Sequence, residues 1–224
     1  LDSEHFSIFR LKPTDIETKH LYITASGGPF YFNKKINLDK VTKKDVVSHP
    51  KWKMGINNSI DSSNFINKML EIFELSIIYN INISKVDFLI SQEAFIHSLI
   101  CFKDNTININ CFENDMLIPL IKPLTLSIKS NELDLKSKKY LDFNNLRLEI
   151  FNDKRFKISK FFKKIKKFPH NQQISFMILN NHAHQLYLNG KLPYVNIIDF
   201  ILDNIEPQKG MKFRSFHDIL RYIG

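Results

Sequence analysis

The sequence predicts an α+β protein in which a mixed-sheet domain packed with helices is followed by a small C-terminal helical bundle. Short runs of β-forming residues alternate with helical patterns in the first half, without a regular βαβ order. The last third carries apolar residues at helical spacing throughout. With 224 residues, 43% of them hydrophobic, the chain can bury a sizeable core.

The first predicted strand covers His20 to Thr24, where β-forming residues alternate briefly. The residues Ser26-Gly27-Gly28-Pro29 then break this strand into a turn. A helix is predicted from Asp61, because a cap-like Asp-Ser-Ser-Asn run precedes apolar residues at helical spacing between Phe65 and Ile77. This segment is the strongest helix prediction in the chain.

The next elements are a buried strand and a hairpin. Val86 to Ile90 is predicted to be the strand, and Phe95 to Phe102 is predicted to pair with Thr106 to Phe112 around a turn at 103–105. A helix interrupted by prolines is predicted at Asp115 to Ile128.

A polar, lysine-rich stretch at 129–139 predicts a domain boundary near residue 130. The expected organisation is a first domain at 1–130, a linker at 131–150 and a helical domain at 151–224. Helices in the last domain are predicted at Phe156 to Phe168, Ile174 to Leu188, Val195 to Ile205 and Phe216 to Ile223.

Charge and cysteine content set broad limits on function. The net charge of +9 favours acidic partners such as phosphorylated substrates, nucleic acid or anionic membranes, without choosing among them. No apolar run approaches the roughly 18 residues of a membrane span, and no signal peptide is visible, so a soluble protein is expected. Cys101 and Cys111 are expected to be reduced thiols.

Two groups of carboxylates are candidate metal ligands. On an extended segment, Asp2 and Glu4 point to one face and can share a divalent cation, although such pairs are common on solvated surfaces. The helix after Asp61 places Lys68 and Glu71 on one face with Asn67. The alternative for Lys68 and Glu71 is an exposed ion pair.

Two segments are candidate phosphate sites. A helix that begins at Ser62 would direct its N-terminal amides at an anion, and the turn after Ser26 offers a second set of converging amides. Trp52, the only tryptophan, lies in a polar stretch, where it indicates either a lid over a ligand or a hydrophobic contact beneath a loop. The basic amphipathic helix at 156–168 fits either a nucleic-acid or membrane surface or a packed bundle.

Taken in order, these segments resemble the 1-deoxy-D-xylulose 5-phosphate reductoisomerases of the non-mevalonate isoprenoid pathway. The resemblance covers most of the chain and is fainter in its C-terminal third. LDSEHFSIF is similar to the metal-site segment of the family, which we interpret as a strand. ITASGGPF is similar to its serine-glycine phosphate loop, and HPKWKMG to its active-site flap. Later family motifs are matched by NNSIDSSNFINKMLEIFE, FLISQEAFIHSLICFKDN and ENDMLIPL. Six motifs in sequence order are very improbable by chance.

The resemblance implies that residues 1–130 form the catalytic domain, with a flap near 49–55. It implies a Mg²⁺ or Mn²⁺ ion bound by Asp2, Glu4 and Glu71, and catalytic roles for Glu4, Lys68 and Glu71. A phosphosugar would contact the following residues: Ser3, Ser26, His49, Trp52, Met54, Ser62, Asn67, Lys68 and His97.

The implied activity is that of an oxidoreductase and isomerase, which rearranges 1-deoxy-D-xylulose 5-phosphate and reduces the product with NADPH to 2-C-methyl-D-erythritol 4-phosphate. No glycine-rich dinucleotide fingerprint occurs in this chain, so NADPH is expected to bind mainly to a domain outside it. The chain alone is therefore predicted to be inactive. We expect a homodimer located in the cytoplasm or in a plastid. No nucleic-acid or membrane partner is expected.

Several residues depart from the family pattern, including Ile56 and Asn57, which stand where the family has basic residues after the flap. Ser91-Gln92-Glu93 and the run 180–184 also differ. One alternative is consequently a non-catalytic homologue that still binds metal or phosphosugar. Another is a basic nucleic-acid-binding module built on the helix at 156–168, whose binding would weaken steeply with salt.

Overall fold

The computed structural model describes residues 2–48, 55–124 and 146–205. The helices in this part of the chain are α1 Ser3–Leu11, α2 Lys43–Val47, α3 Ile56–Asn64, α4 Ile66–Ile78, α5 Leu117–Leu124, α6 Ile158–Ile165, α7 His170–Leu188 and α8 Ile197–Ile205. The strands are β1 Thr18–Ala25, β2 Val86–Ile90, β3 Ile96–Phe102, β4 Ile107–Cys111 and β5 Glu149–Ile150. Short 3₁₀ turns occur at Leu38–Lys40, Ile83–Lys85 and Tyr194–Asn196.

The chain divides into two compact units that are each discontinuous in sequence. The described residues of 1–27 and 71–151 form the first unit, and those of 28–70 and 152–224 form the second. Residues 28–70 thus group with the C-terminal segment, whereas the sequence had suggested consecutive domains. Most of the predicted linker at 131–150, including the expected boundary, lies outside the described residues, but its last two residues form β5.

The first unit is built on a five-stranded mixed sheet in the order β4-β3-β1-β2-β5. Only the β1–β2 pair is parallel among these strands, with Leu21 opposite Val86 and Ala25 opposite Ile90. The connection between them contains α3 and α4, as a parallel pair requires a long crossover. The predicted mixed sheet and α+β class are confirmed.

The predicted hairpin is also confirmed. β3 and β4 pair antiparallel, with Cys101 opposite Ile107, and Asn105 takes a left-handed conformation (φ 68°) in the turn. Neither cysteine forms a disulfide, in agreement with the expected reduced thiols.

Helix α1 packs on the hairpin side of the sheet through buried polar and aromatic contacts. The hydroxyls of Ser7 and Ser98 share a hydrogen bond, and Asn110 Nδ2 donates to the Ser7 carbonyl at 3.1 Å. The rings of Phe6 and Phe112 meet edge to face with centroids 5.4 Å apart. These contacts fix the direction in which α1 presents its first turn.

Two local predictions are wrong. The segment from Asp2 to Glu4 is not extended, because Asp2 caps α1 and Glu4 lies in its first turn. The long helix expected from Asp61 is two helices, since Phe65 adopts a left-handed conformation (φ 68°) between α3 and α4. Asp61 therefore lies inside α3 and does not cap a helix.

The predicted helices in the C-terminal segment are largely confirmed. The helix at 156–168 appears as α6, the one at 174–188 begins earlier as α7, and the one at 195–205 appears as α8 after a 3₁₀ turn. On and around α6, Phe156, Ile158, Ile165 and Phe168 are buried, so its apolar stripe faces a core as a packed bundle predicts. The helix expected at 216–223 lies outside the described residues.

Arg155 organises the second unit around a buried carboxylate. Its guanidinium donates to Asp153 Oδ2 at 2.8 Å and to three carbonyl oxygens between Phe30 and Asn33 at 2.9–3.2 Å. Lys34 Nζ donates to the same carboxylate at 2.8 Å. Burial opposes ionisation of Asp153, but the hydrogen bonds from Arg155 and Lys34 outweigh it and hold its pKa well below the usual range.

Asp153→Asn is expected to lower the free energy of unfolding at pH 7 by about 1–3 kcal/mol, because hydrogen bonds to a charged acceptor are lost. The folded pKa of Asp153 is depressed, so its contribution is fully present above the unfolded pKa of about 3.9 and declines as pH falls further. Denaturant unfolding at several pH values checks this. The exposed residue Asp203 provides the control variant Asp203→Asn. A wild-type-to-variant difference that is equal at pH 3 and pH 7 would contradict the assignment.

No helix among the described residues combines the length and the apolar character needed to cross a membrane.

Candidate functional site

The first turn of α1 carries three of the predicted site residues. Asp2 caps the helix in an extended conformation, and its Oδ1 accepts the His5 backbone N–H at 2.6 Å. Ser3 Oγ donates to Glu4 Oε2 at 2.6 Å. An aspartate at the N-cap and a glutamate in the first turn are both stabilised by the positive end of the helix. Helix capping thus explains the Asp-Ser-Glu order that had been interpreted as a strand.

His5 connects this first turn to α4. Its Nε2 lies 3.5 Å from Glu74 Oε2 and 4.0 Å from Asp2 Oδ2, while its side chain is only 4% exposed. Tyr79, which directly follows the end of α4, donates its hydroxyl to the His5 carbonyl at 3.0 Å. Glu71 precedes Glu74 by three residues and therefore lies on the same helix face. The acidic first turn of α1 accordingly faces the part of α4 that carries Glu71.

Glu71 itself is buried, with 8% of its surface exposed. Glu74 is more accessible, but burial still raises its pKa and the nearby Asp2 carboxylate adds to the rise, although His5 opposes it. Negative charge is therefore concentrated where α1 meets α4. Such a concentration is the electrostatic condition that a divalent cation relieves.

Within the described residues, one group of three potential ligand side chains lies close enough to hold a metal ion. Its members are Asp2, His5 and Glu74, whose ligand atoms lie within 4.8 Å of one another. Asp2 was predicted to be a ligand, whereas His5 and Glu74 were missed. A signal for both was present, since each lies three residues after a predicted ligand and so one helical turn along.

Asn67 and Lys68 lie in the first turn of α4. This helix starts afresh after the left-handed Phe65, and the Asn64 side chain accepts the Ile66 backbone N–H at 2.9 Å. Lys68 is only 4% exposed. The alternative of a solvent-exposed pair between Lys68 and Glu71 is therefore wrong, because both side chains are buried.

Ser62 lies in the interior of α3, so the prediction that a helix begins there is wrong. The loop after β1 nevertheless approaches it closely. Gly28 has φ +57°, and a Cβ atom placed on it would lie 2.8 Å from the Ser62 carbonyl oxygen. Only glycine tolerates both the conformation and the approach. Gly28 is thus required for packing as well as for the turn.

The remaining predicted residues are distributed as follows. Ser26 follows the end of β1, whose last carbonyl, that of Ala25, accepts the Ser91 N–H at 2.9 Å. His97 is 2% exposed on β3, stacks on Phe112 with ring centroids 3.7 Å apart and contacts the Phe95 carbonyl through Nδ1 at 3.0 Å. The flap residues His49, Trp52 and Met54 lie outside the described residues.

Comparison with known proteins supplies the family. The sequence model of one protein family, the 1-deoxy-D-xylulose 5-phosphate reductoisomerase C-terminal domain, matches residues 1–79. A reductoisomerase of that name from Clostridium novyi is 30% identical over 98% of this chain, and one from Anaplasma phagocytophilum is 31% identical over 99%. The chain belongs to the 1-deoxy-D-xylulose 5-phosphate reductoisomerase family.

The chain spans 57% and 58% of the lengths of these two reductoisomerases. Solved structures of the family share its fold. A DOX-P reductoisomerase in complex with NADPH, fosmidomycin and magnesium matches 99% of the chain with a TM-score of 0.81 at 24% identity. The Zymomonas mobilis enzyme in complex with NADPH matches 98% with a TM-score of 0.79, also at 24% identity.

Proposed function

We propose that this chain is the metal- and phosphosugar-binding part of an NADPH-dependent reductoisomerase that converts 1-deoxy-D-xylulose 5-phosphate to 2-C-methyl-D-erythritol 4-phosphate. The observation that carries the proposal is the burial of Lys68 and Glu71, one turn apart on α4. A lysine and a glutamate are rarely this buried in a protein, and burial that perturbs ionisable groups is typical of functional sites. The curated relatives bear the name of this enzyme.

The donor types suit a divalent cation. Asp2, Glu4 and Glu71 offer hard carboxylate oxygens, which suit Mg²⁺ or Mn²⁺. Burial of Glu71 and the accumulation of carboxylates at the first turn of α1 both favour a bound positive charge. The chemistry supplied by a bound ion is polarisation of the ketose carbonyl and stabilisation of negative charge on oxygen during the carbon shift.

The phosphate of the substrate is proposed to bind Ser26, Ser62, Asn67 and Lys68. In the first turn of α4, Asn67 and Lys68 are at the positive end of the helix, which favours an anion. Contacts to the phosphate, remote from the reacting carbons, orient the substrate relative to the carboxylates. Ser3 and His97 are proposed to contact the rest of the substrate.

His49, Trp52 and Met54 are proposed to form a flap that closes over the bound substrate and excludes water. NADPH would bind mainly to a part of the enzyme outside this chain and would supply the hydride equivalent for the reduction. The enzyme is proposed to be a homodimer located in the cytoplasm or in a plastid.

Glu71→Gln tests the metal site without a large change of shape. In the 224-residue chain, calorimetric titration with fosmidomycin and Mg²⁺ is expected to show metal-dependent binding that Glu71→Gln weakens by at least about 100-fold, since a direct ligand is lost and outer-shell losses already cost about 10–100-fold. The exposed Glu17 provides the control Glu17→Gln. Circular dichroism checks that each variant is folded.

Equal fosmidomycin affinity in wild type and Glu71→Gln would contradict the proposed site. Turnover is measured separately, in protein that also contains the NADPH-binding part. Metal-dependent binding without turnover there would favour the alternative of a non-catalytic homologue. NADPH oxidation by the 224-residue chain alone would contradict the assignment of the cofactor to another part of the enzyme.

A further inference from the structure

We propose that Asp2, His5 and Glu74 bind a divalent transition-metal ion such as Zn²⁺ or Co²⁺. This ligand set shares Asp2 with the proposed magnesium set. It replaces the two glutamates of that set by an imidazole and a different carboxylate. The site is therefore distinct in its ligands, and its imidazole favours Zn²⁺ or Co²⁺ over Mg²⁺.

The geometry fits such an ion. The three ligand atoms lie within 4.8 Å of one another, with His5 Nε2 at 3.5 Å from Glu74 Oε2 and 4.0 Å from Asp2 Oδ2. Tetrahedral coordination with metal–ligand bonds of about 2.0–2.2 Å separates ligand atoms by roughly 3.4 Å. The side chains of Asp2 and Glu74 are 40% and 57% exposed, so small rotations suffice to close the remaining gap.

The hydrogen bonding of the His5 imidazole is an independent indication that an ion binds here. His5 Nε2 is buried and makes no hydrogen bond to any residue that the structure describes. Buried polar atoms are normally hydrogen-bonded. Both carboxylates lie beyond the roughly 2.7–3.2 Å at which an N–H donor would meet an oxygen directly. A shared ion between the three side chains satisfies the nitrogen at the observed spacing, whereas a proton on Nε2 does not.

The donor types select the ion. Imidazole nitrogen suits zinc and its neighbours in the transition series, whereas magnesium prefers an all-oxygen shell with water. Because Asp2 belongs to both sets, a transition-metal ion at His5 is expected to compete with Mg²⁺. This competition rests on the proposed function, but the existence of the His5 site does not.

Co²⁺ is the probe for this site, because its visible absorption changes when protein ligands replace water in its coordination shell. Titrating the 224-residue chain with Co²⁺ is expected to show one site that both His5→Gln and Glu74→Gln weaken by more than about 100-fold, by the same reasoning on direct ligands. Glu74 is exposed, so Glu74→Gln tests the site even if the buried His5 variant fails to fold. His20→Gln, at an exposed histidine of the same unit, is the control.

Glu71→Gln separates this site from the magnesium set. Retained Co²⁺ affinity in Glu71→Gln, together with its loss in Glu74→Gln, supports the proposal even if fosmidomycin fails to bind. Co²⁺ affinity that survives Glu74→Gln overturns it, as does the absence of any Co²⁺ binding by the wild-type chain.

Discussion

Replacing Gly28 by alanine is expected to lower the free energy of unfolding by about 2–5 kcal/mol, which sums a left-handed backbone penalty and an overpacking penalty. The added Cβ atom would lie 2.8 Å from the Ser62 carbonyl oxygen and 3.4 Å from Ser63 Cα. Both atoms belong to the backbone of α3, so no side chain can rotate away to relieve the contact. The loop must move or the helix must shift.

Gly190→Ala is the matched control. Gly190 also has a positive φ (+72°), but nothing lies within 4 Å of a Cβ atom placed on it. Its replacement therefore carries the backbone penalty alone, about 1–2 kcal/mol. Urea unfolding of both variants measures the difference. Equal destabilisation by the two substitutions would contradict the close approach of Gly28 to α3.

The same substitution has a functional consequence, which rests on the proposed function. Ser26 lies two residues before Gly28, and Ser62 carries the carbonyl that Gly28 approaches. Displacing the loop from α3 disturbs the backbone of Ser62, one of the proposed phosphate-binding residues. Gly28→Ala is therefore expected to weaken fosmidomycin binding, while Gly190→Ala leaves it unchanged.

Asp61→Ala is expected to lower the free energy of unfolding by about 2–6 kcal/mol, because each of the two buried partners left unsatisfied costs about 1–3 kcal/mol. Asp61 is 7% exposed inside α3, and its Oδ1 accepts from Asn180 Nδ2 at 2.9 Å. His184 Nε2 lies 2.8 Å from the same oxygen. Both partners belong to α7 and are themselves buried, so alanine would leave two polar groups without an acceptor.

A double-mutant cycle isolates this interaction from other effects of the substitution. The cost of Asp61→Ala is expected to fall by about 0.5–3 kcal/mol in a His184→Ala background, because the shared contact is already absent. Asn58→Ala, at an exposed position of the same helix, is expected to change stability by less than about 0.5 kcal/mol. Additive costs of the two substitutions would show that Asp61 and His184 do not act together.

The regular elements were predictable because their signals are local. β1, β2 and the β3–β4 hairpin follow from β-forming runs and from a polar turn, and α7 and α8 follow from helical periodicity. The two-residue strand β5 was missed, since so short a strand exists only by pairing with β2. The left-handed Phe65 was missed for a related reason, because a bulky aromatic is an unusual residue for that conformation.

The candidate site was predictable in its residue types but not in its local structure. Two carboxylates two residues apart are compatible with a strand face and with the first turn of a helix, and spacing alone does not distinguish these. The structure shows the helix, because the backbone N–H of His5 donates a hydrogen bond to the Asp2 side chain as in an N-cap. It also adds His5 and Glu74, whose approach joins residues 69 positions apart.

By itself, the sequence determined the α+β class, most of the strands and helices, and the residues from which the family resemblance could be drawn. Only the tertiary structure decided that residues 28–70 group with the C-terminal segment, that Asp61 is buried against His184, and that His5 faces Glu74. The physical reason is the range of the interactions involved. Propensity, capping and periodicity act over a few residues, whereas burial and ion pairing depend on which distant segments pack together.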